Sequence, residues 1–382
     1  MRKNIDKLKK CKTSNKSKNT IKILFVFNTC KKCGPTNVVL NIIKNLDFSK
    51  FEPVILTLSE EKIDSNLEEF RKYAHSHYFC RVSKADIMIG KLGKLTKIIN
   101  DISPDVIHTT GVFPDFAISK TAPNIQVITM HNYAPFDYVA KFGKIRGRIL
   151  VRMQYYAAER AAKTIACSES LTILYRKDNL ELKYIRNGVD INHYNIKEQT
   201  TQKNSRKCNF IYTGHLSKEK NVSFVLNAFS KVFFDNQDIK LFVLGSGTES
   251  GILEETYQRF SNIRFVGRVS DVAKYLEKSD IYVSASRSEG MPNGVLEAIA
   301  SGLPILLSDI PQHEEILNAG GKCGYSFSLD SEDDLREKMH NILNDNLKTM
   351  SRNSRLTAEK YFNSVKMSNE YQKIYQEVAK NA

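Results

Sequence analysis

The chain has no run of apolar residues approaching the ~20 that a helix needs to span a bilayer. Its first twenty residues are basic and polar, with no apolar core behind the charges, so no signal peptide is expected and the protein is placed in the cytoplasm. No long low-complexity tract interrupts it. Seven cysteines are an odd number without regular spacing. Cys30 and Cys33 form a lone CxxC, and without a second ligand pair a structural zinc site is not expected; reduced thiols are the reading. Paired carboxylates or a DxD in a strand-end loop are also missing, so the chemistry is expected to need no metal and no cofactor. No helix-turn-helix, zinc or RNA-recognition pattern accompanies the basic charge, and no nucleic-acid partner is expected.

What is present is a long globular chain. Its 382 residues suffice for two domains, and 41% hydrophobic with 26% charged residues is a soluble composition. The net charge of +15 (57 basic against 42 acidic) suggests an anionic partner, whether membrane surface, nucleic acid or phosphorylated substrate. Part of it lies in a basic tail over 1–20 that is expected to be disordered. Charge alone does not choose the partner.

The pattern from Ile21 onward alternates apolar strands with amphipathic helices. Strands are expected at Ile21–Phe27, Glu52–Leu58, Val106–His108, Gln126–Met130, Thr164–Cys167 and Leu182–Arg186, with a long helix over Lys144–Lys163. Such alternation implies βαβ units and a mostly parallel sheet. At Asn187-Gly188 the pattern breaks, and a polar stretch runs to Lys207. A second series follows, with strands at Asn209–Thr213, Lys240–Leu244, Arg264–Val266, Asp280–Ser284 and Pro304–Leu307. The expected division is a first domain over 21–187, a linker over 188–207, a second domain over 208–355 and a helix over 356–382 that packs across the domains. Two doubly wound domains would face each other across a cleft lined by carboxyl ends of strands.

The most informative stretch is Ser284 to Pro311. A strand ends, a loop carries Glu289 and Gly290, a helix opens near Pro292, and Gly302 stops it before Pro304. A helix start offers N–H groups and about +0.5 of an elementary charge, which suits a diphosphate without a metal. Glu297, inside the helix, would then reach ribose hydroxyls, and Glu289 the hydroxyls of a sugar near its reacting carbon. Taken alone, two glutamates eight apart are more often surface charges; the surrounding strand, glycine loop and helix reverse that weighing.

Here the sequence resembles glycosyltransferase family 4, retaining enzymes of GT-B fold, in a bacterial surface-polysaccharide branch. Glu289 and Glu297 form its E-x7-E, followed by Ala300-Ser301-Gly302-Leu303-Pro304. Asn187-Gly188-Val189-Asp190 matches an interdomain motif, and Thr213 to Lys220 matches a glycine loop ending in Glu-Lys. Gly245-Ser246-Gly247 and Phe265-Val266-Gly267 match two further strand ends. The resemblance implies that Lys220 holds the donor diphosphate, Glu289 meets the transferred sugar, and Glu297 the ribose. It also implies that Gly214, His215, Gly290, Met291, Pro292 and Asn293 line the donor site and that backbone near Val266 meets the base. His215 stands where the family usually has Arg, so one permanent cation is missing unless Arg268 or Arg287 supplies it.

In the first half Gly34 follows a strand and precedes a helix, an arrangement read equally as an anion-holding turn or a simple one. His131 ends a strand, and the resemblance places a histidine near the transferred sugar there. His108 and Ser168 are read as structural, Ser168 as a helix cap. The stretch Lys141–Lys163 mixes basic and apolar residues and suits either an anionic lipid surface or a core helix. The resemblance thus implies transfer from a nucleotide sugar, UDP- or GDP-linked, to a saccharide or lipid-linked acceptor, peripheral on the inner membrane face. A nucleotide-sugar epimerase of the same fold, a basic nucleic-acid-binding protein and an inactive scaffold are the rival readings.

Overall fold

The structure, a computed structural model, describes residues 20–196, 207–234 and 236–381. The basic tail before Thr20 and residues 197–206 of the expected linker lie outside the described residues. The chain divides into two units. One holds everything up to Cys167 with Thr172–Ile185 and Val365–Ala382; the other holds Ser168–Leu171 and Arg186–Ser364.

In the first unit, strands β1 (Ile21–Phe27), β2 (Phe51–Thr57), β3 (Ser76–Phe79), β4 (Val106–Thr110), β5 (Gln126–Met130), β6 (Lys163–Ala166) and β7 (Lys183–Tyr184) form one sheet. Their order is β3-β2-β1-β4-β5-β6-β7, parallel throughout. Successive strand side chains point to opposite faces, and β1 accordingly feeds two cores. Ile23, Phe25 and Phe27 join one cluster, while Leu24 and Val26 join another with Leu95, Ile99 and Ile118. That explains why β1 is apolar throughout.

The second unit carries β8 (Cys208–Thr213), β9 (Ile239–Leu244), β10 (Ile263–Gly267), β11 (Ile281–Ser284), β12 (Ile305–Ser308) and β13 (Gly324–Phe327). They too are all parallel, in the order β10-β9-β8-β11-β12-β13. Both sheets are thus doubly wound, and each reverses its strand order once, at β1/β4 and at β8/β11. Ligands of open parallel sheets bind outside the carboxyl ends of strands at such a reversal.

Some expected boundaries move. The helix expected over Lys144–Lys163 spans Ala134–Arg160, broken at Gly143, whose φ of 77° is left-handed. The single helix expected over 356–382 is two, Leu347–Tyr361 in the second unit and Ser364–Lys380, which returns to the first. The break has a partner. Val189 N–H donates to the Phe362 carbonyl at 2.9 Å, and Ser364 N–H to the Val189 carbonyl at 3.0 Å. A Cβ on Gly188 would sit 2.6 Å from the Asn363 carbonyl carbon, so only glycine fits. The described part of the expected linker is therefore a packed segment of the second unit, whose main stretch starts at Arg186.

The C-terminal helix is anchored in the first unit by apolar and polar contacts together. Met367, Tyr371, Tyr375 and Val378 join the core beside Phe25. His108, fully enclosed, bonds Tyr375 Oη at 2.7 Å and Thr129 Oγ1 at 2.9 Å, and Thr129 bonds Tyr371 Oη at 2.8 Å. Burial, helped by nearby His131, pushes the His108 pKa down to about 3, so the ring is neutral at physiological pH. Tyr375→Phe deletes the partner of His108 Nδ1 and leaves that buried nitrogen unpaired, while the bond from Nε2 to Thr129 remains. The variant is expected to cost about 1–3 kcal/mol in urea unfolding; an unchanged midpoint would show that the helix is held by apolar packing alone.

Candidate functional site

At the carboxyl ends of β8, β9 and β11 the backbone is packed too closely for side chains. A Cβ on Gly245 would lie 1.8 Å from the Gly214 carbonyl oxygen, and one on Gly247 2.1 Å from that of Leu216. A Cβ on Gly294 would lie within 2.9 Å of the Thr213 carbonyl oxygen and 2.8 Å of Tyr282 Oη. The first turn of the helix Asn293–Ala300 is therefore pressed against the end of β8, beside the loop Gly214–Asn221. Pro292 precedes the helix as its cap residue, one position earlier than a first-turn proline. Its carbonyl accepts from the N–H groups of Val295 and Leu296. No side chain caps this helix and no acidic residue stands in its first turn. An uncapped helix start with no carboxylate of its own favours an anion there.

Two loops meet in front of this helix. Lys220, at the end of the loop after β8, forms an ion pair with Glu289, in the loop after β11. Ser286 Oγ donates to the same carboxylate oxygen at 2.8 Å. Burial works to raise the Glu289 pKa, but the Lys220 ammonium and its hydrogen bond outweigh it, so the carboxyl is held below its usual range. Glu289 is thus ionised, and its charge is already compensated.

Glu297, one turn into the helix, has the opposite character. Burial raises its pKa to about 7, and a hydrogen bond from Tyr194 opposes the rise. Two carboxyls of one short motif are therefore held in different states near neutrality: Glu289 ionised, Glu297 poised to titrate.

The remaining expected residues fall into two groups. Gly214, His215, Lys220, Val266 and the loop Gly290–Met291–Pro292–Asn293 all belong to the second unit, at the carboxyl ends of β8, β10 and β11. His215 is exposed, and its carbonyl accepts from Tyr212 Oη at 3.0 Å. Gly267, after Val266, has a left-handed φ of 74° and accepts from Gly245 N–H at 2.8 Å. Arg287, considered as a substitute cation, lies with its guanidinium 3.3 Å from Asn221 Oδ1. Gly34 and His131 belong to the first unit. Gly34 opens the helix Gly34–Lys44, and His131 follows β5. Burial pushes the His131 pKa down to about 4, and its Nε2 has no hydrogen-bond partner among the described residues. At the CxxC, Cys30 N–H donates to Glu61 at 2.8 Å and Cys33 Sγ lies 3.0 Å from Thr36 Oγ1; among the described residues no group of three His, Cys, Asp or Glu could hold a metal ion.

Comparison with known proteins decides what this arrangement belongs to. Residues 33–193 match the family described as Glycosyltransferase Family 4, and residues 207–345 match Glycosyl transferases group 1. The O-antigen biosynthesis glycosyltransferase WclY of Escherichia coli is 24% identical over 78% of this chain and 83% of its own length. The chain is a glycosyltransferase, with a family 4 domain followed by a group 1 domain. A second Escherichia coli relative, UDP-Gal:alpha-D-GlcNAc-diphosphoundecaprenol alpha-1,3-galactosyltransferase, is 25% identical over 75% of this chain and 79% of its own length. The fold is that of solved GT-B structures. Anabaena Alr3699/HepE in complex with UDP and glucose aligns with a TM-score of 0.74 at 16% identity, covering 93% of this chain and 99% of that one. The sucrose-phosphate synthase of Thermosynechococcus elongatus aligns with a TM-score of 0.77 at 14% identity, covering 95% and 100%.

In this glycosyltransferase several residues that shape the loops were not legible as such in the sequence. Ser168 caps its helix through Leu171 N–H at 3.3 Å, as read, but also donates to the Gly290 carbonyl at 2.8 Å. Glu315 accepts from Ser170 N–H at 2.8 Å and from Arg186 Nε at 2.7 Å, tying Ser168–Leu171 into the second unit. Behind Glu289, Ser308 Oγ donates to the Ser286 carbonyl at 2.7 Å. His313 is fully buried and its Nδ1 lies 2.9 Å from that same hydroxyl and 3.1 Å from the Ser308 carbonyl. Because the hydroxyl already donates elsewhere, Nδ1 carries the proton and Nε2 is a bare acceptor. The usable sequence signal was the pair of serines in Ser284-Ala285-Ser286 and the polar Ser308, since hydroxyls at buried strand ends need partners.

The Lys220 and Glu289 side chains are 28% and 11% exposed, so removing one strands the other. Lys220→Met is expected to destabilise the protein by roughly 2–3 kcal/mol, somewhat below a fully buried pair. The double variant Lys220→Met with Glu289→Gln should recover most of that loss in thermal unfolding; equal destabilisation by single and double variants would show that the pair is not coupled.

Proposed function

We propose that this glycosyltransferase moves a sugar, with retention and without a metal, from a UDP- or GDP-sugar to an acceptor hydroxyl in bacterial surface-polysaccharide assembly. The observation that carries the donor side is the uncapped helix at Asn293 with Lys220 and Glu289 in front of it and Glu297 within it. The relatives' names point to O-antigen assembly, and one names a diphosphoundecaprenol-linked acceptor. The family resemblance supports retention.

In this reading the donor diphosphate lies at the helix start and draws on the Lys220 ammonium. The C1–O bond to phosphate breaks with its electron pair leaving on the phosphate oxygen, where the cation and the helix N–H groups stabilise the charge. The acceptor oxygen bonds C1 on the same face, and its proton passes to that phosphate oxygen. Glu289, ionised yet compensated by Lys220 and Ser286, suits accepting hydrogen bonds from sugar hydroxyls better than attacking carbon. His131, neutral and with an unpartnered Nε2, suits a polar contact to the transferred sugar. Glu297 accepts from the ribose.

Peripheral membrane binding has an observation of its own. On the helix Ala134–Arg160, Phe136, Phe142, Ile145 and Ile149 are exposed, Ile145 to 80%, among Lys141, Lys144, Arg146 and Arg148. Basic side chains around exposed apolar ones suit an anionic lipid surface. No helix among the described residues is long and apolar enough to cross a membrane.

Two measurements test the proposal. With donor panels and a lipid-linked acceptor, Glu297→Ala should weaken nucleotide binding about tenfold or more, whereas Glu289→Ala should mainly lower turnover, by roughly a hundredfold; full activity in both would overturn the assignment. Co-sedimentation with phosphatidylglycerol vesicles should exceed that with phosphatidylcholine and fall with salt and in Ile145→Glu. Binding indifferent to lipid charge would remove the membrane reading.

A further inference from the structure

Ser284, Ser286, Ser308 and His313 are all buried, and the direction of every hydrogen bond among them is fixed. A serine hydroxyl carries a single proton. That of Ser286 goes to the Glu289 carboxylate at 2.8 Å, and that of Ser308 to the Ser286 carbonyl at 2.7 Å. Ser284 Oγ, 3.2 Å from Ser286 Oγ, must then donate to it. His313 Nδ1 lies 2.9 Å from Ser308 Oγ and 3.1 Å from the Ser308 carbonyl. With the Ser308 proton committed elsewhere, Nδ1 can only donate. The donors therefore run one way, toward the carboxylate, and His313 heads the chain.

The ring has no other polar use. Burial pushes its pKa down to about 4, so it is neutral at physiological pH. Its Nε2 is enclosed and has no hydrogen-bond partner among the described residues. An aliphatic side chain would fill the same space without leaving a buried acceptor unpaired. What the histidine supplies, and a leucine cannot, is one neutral donor at Nδ1. The ring is carried by the helix Pro311–Leu317, where the His313 N–H donates to the Ile310 carbonyl at 3.0 Å.

We propose that His313 is a positioning residue for Glu289. Its Nδ1–H keeps the Ser308 hydroxyl turned toward the Ser286 carbonyl, and the Ser286 backbone so held aims its own hydroxyl at the carboxylate. Lys220 bonds the same carboxylate oxygen from the loop after β8. Oε1 is thus held by donors from two loops, and Oε2 makes no hydrogen bond among the described residues. That leaves Oε2 as the oxygen that accepts from a sugar hydroxyl. The inference rests on the reading of Glu289 as the group that meets the transferred sugar, and adds the residues that aim it.

Two measurements test it. Long-range proton–nitrogen correlation spectra of protein with isotope-labelled histidine read the tautomer, with His313→Asn locating the resonance. A neutral ring protonated at Nδ1 is expected; one protonated at Nε2 overturns the inference. The second measurement is kcat and donor KM, using the best donor from a panel of UDP- and GDP-sugars with a lipid-linked acceptor. His313→Leu is expected to lower kcat about tenfold while donor KM stays within about twofold. His313→Asn, whose amide replaces the lost donor, should stay within about threefold of wild type. Adding His313→Leu to Glu289→Ala should lower kcat no further, because the histidine acts through that carboxylate. Wild-type kcat in His313→Leu, an equal loss in His313→Asn, a loss confined to KM, or a further comparable loss in the double variant overturns the inference. Each of those leaves the Glu289 reading standing. Full turnover in Glu289→Ala overturns both.

Discussion

The ion pair between Lys220 and Glu289 joins the two loops that leave β8 and β11, and the chemistry of the second unit depends on that join. These strands are neighbours in the sheet but far apart in the chain, and the strand order reverses between them. A crevice opens at such a reversal because the connections leave toward opposite faces. The pair spans it. Its carboxylate stays ionised in a largely water-excluded position because the cation is there. Without the Lys220 ammonium, burial would push the Glu289 carboxyl up instead.

Around this pair the polypeptide trades side chains for proximity. Gly214, Gly245, Gly247 and Gly294 bring backbone against backbone, so the helix start reaches the loop after β8 directly. Behind the pair, Ser286, Ser308 and His313 form a buried relay that fixes the loop from below. Ser168 grips the same loop through the Gly290 carbonyl. A transferase must hold a leaving group and a sugar while charge develops, and preorganised donors avoid reorganisation at that moment.

Much of this was legible in the residues. The apolar strands alternating with amphipathic helices announced parallel sheets, and β1, β8 and β11 were placed to within a residue or two. Glu289, Glu297 and Lys220 stood out because a strand, a glycine loop and a helix start surrounded them. What escaped was of two kinds. The edge strands β3 and β13 are four residues each and carry polar positions (SHYF and GYSF), so their pairing comes from the neighbouring strand more than from their own pattern. The C-terminal helix pair looked like one helix because nothing in Tyr361-Phe362-Asn363-Ser364 forces a stop; the break follows from the bridge to Val189.

The sequence by itself determined the class of fold and the chemical inventory: a period of alternation that only two parallel sheets satisfy, and acidic and basic residues at fixed offsets from glycine turns. These are local matters, set by side-chain spacing and backbone freedom. The tertiary structure decided the states of those residues. Glu289 and Glu297 are the same amino acid eight positions apart, yet one is held charged by a lysine 69 residues away and the other is raised toward neutrality by burial. A carboxyl's ionisation depends on what surrounds it in space, and sequence spacing does not specify that.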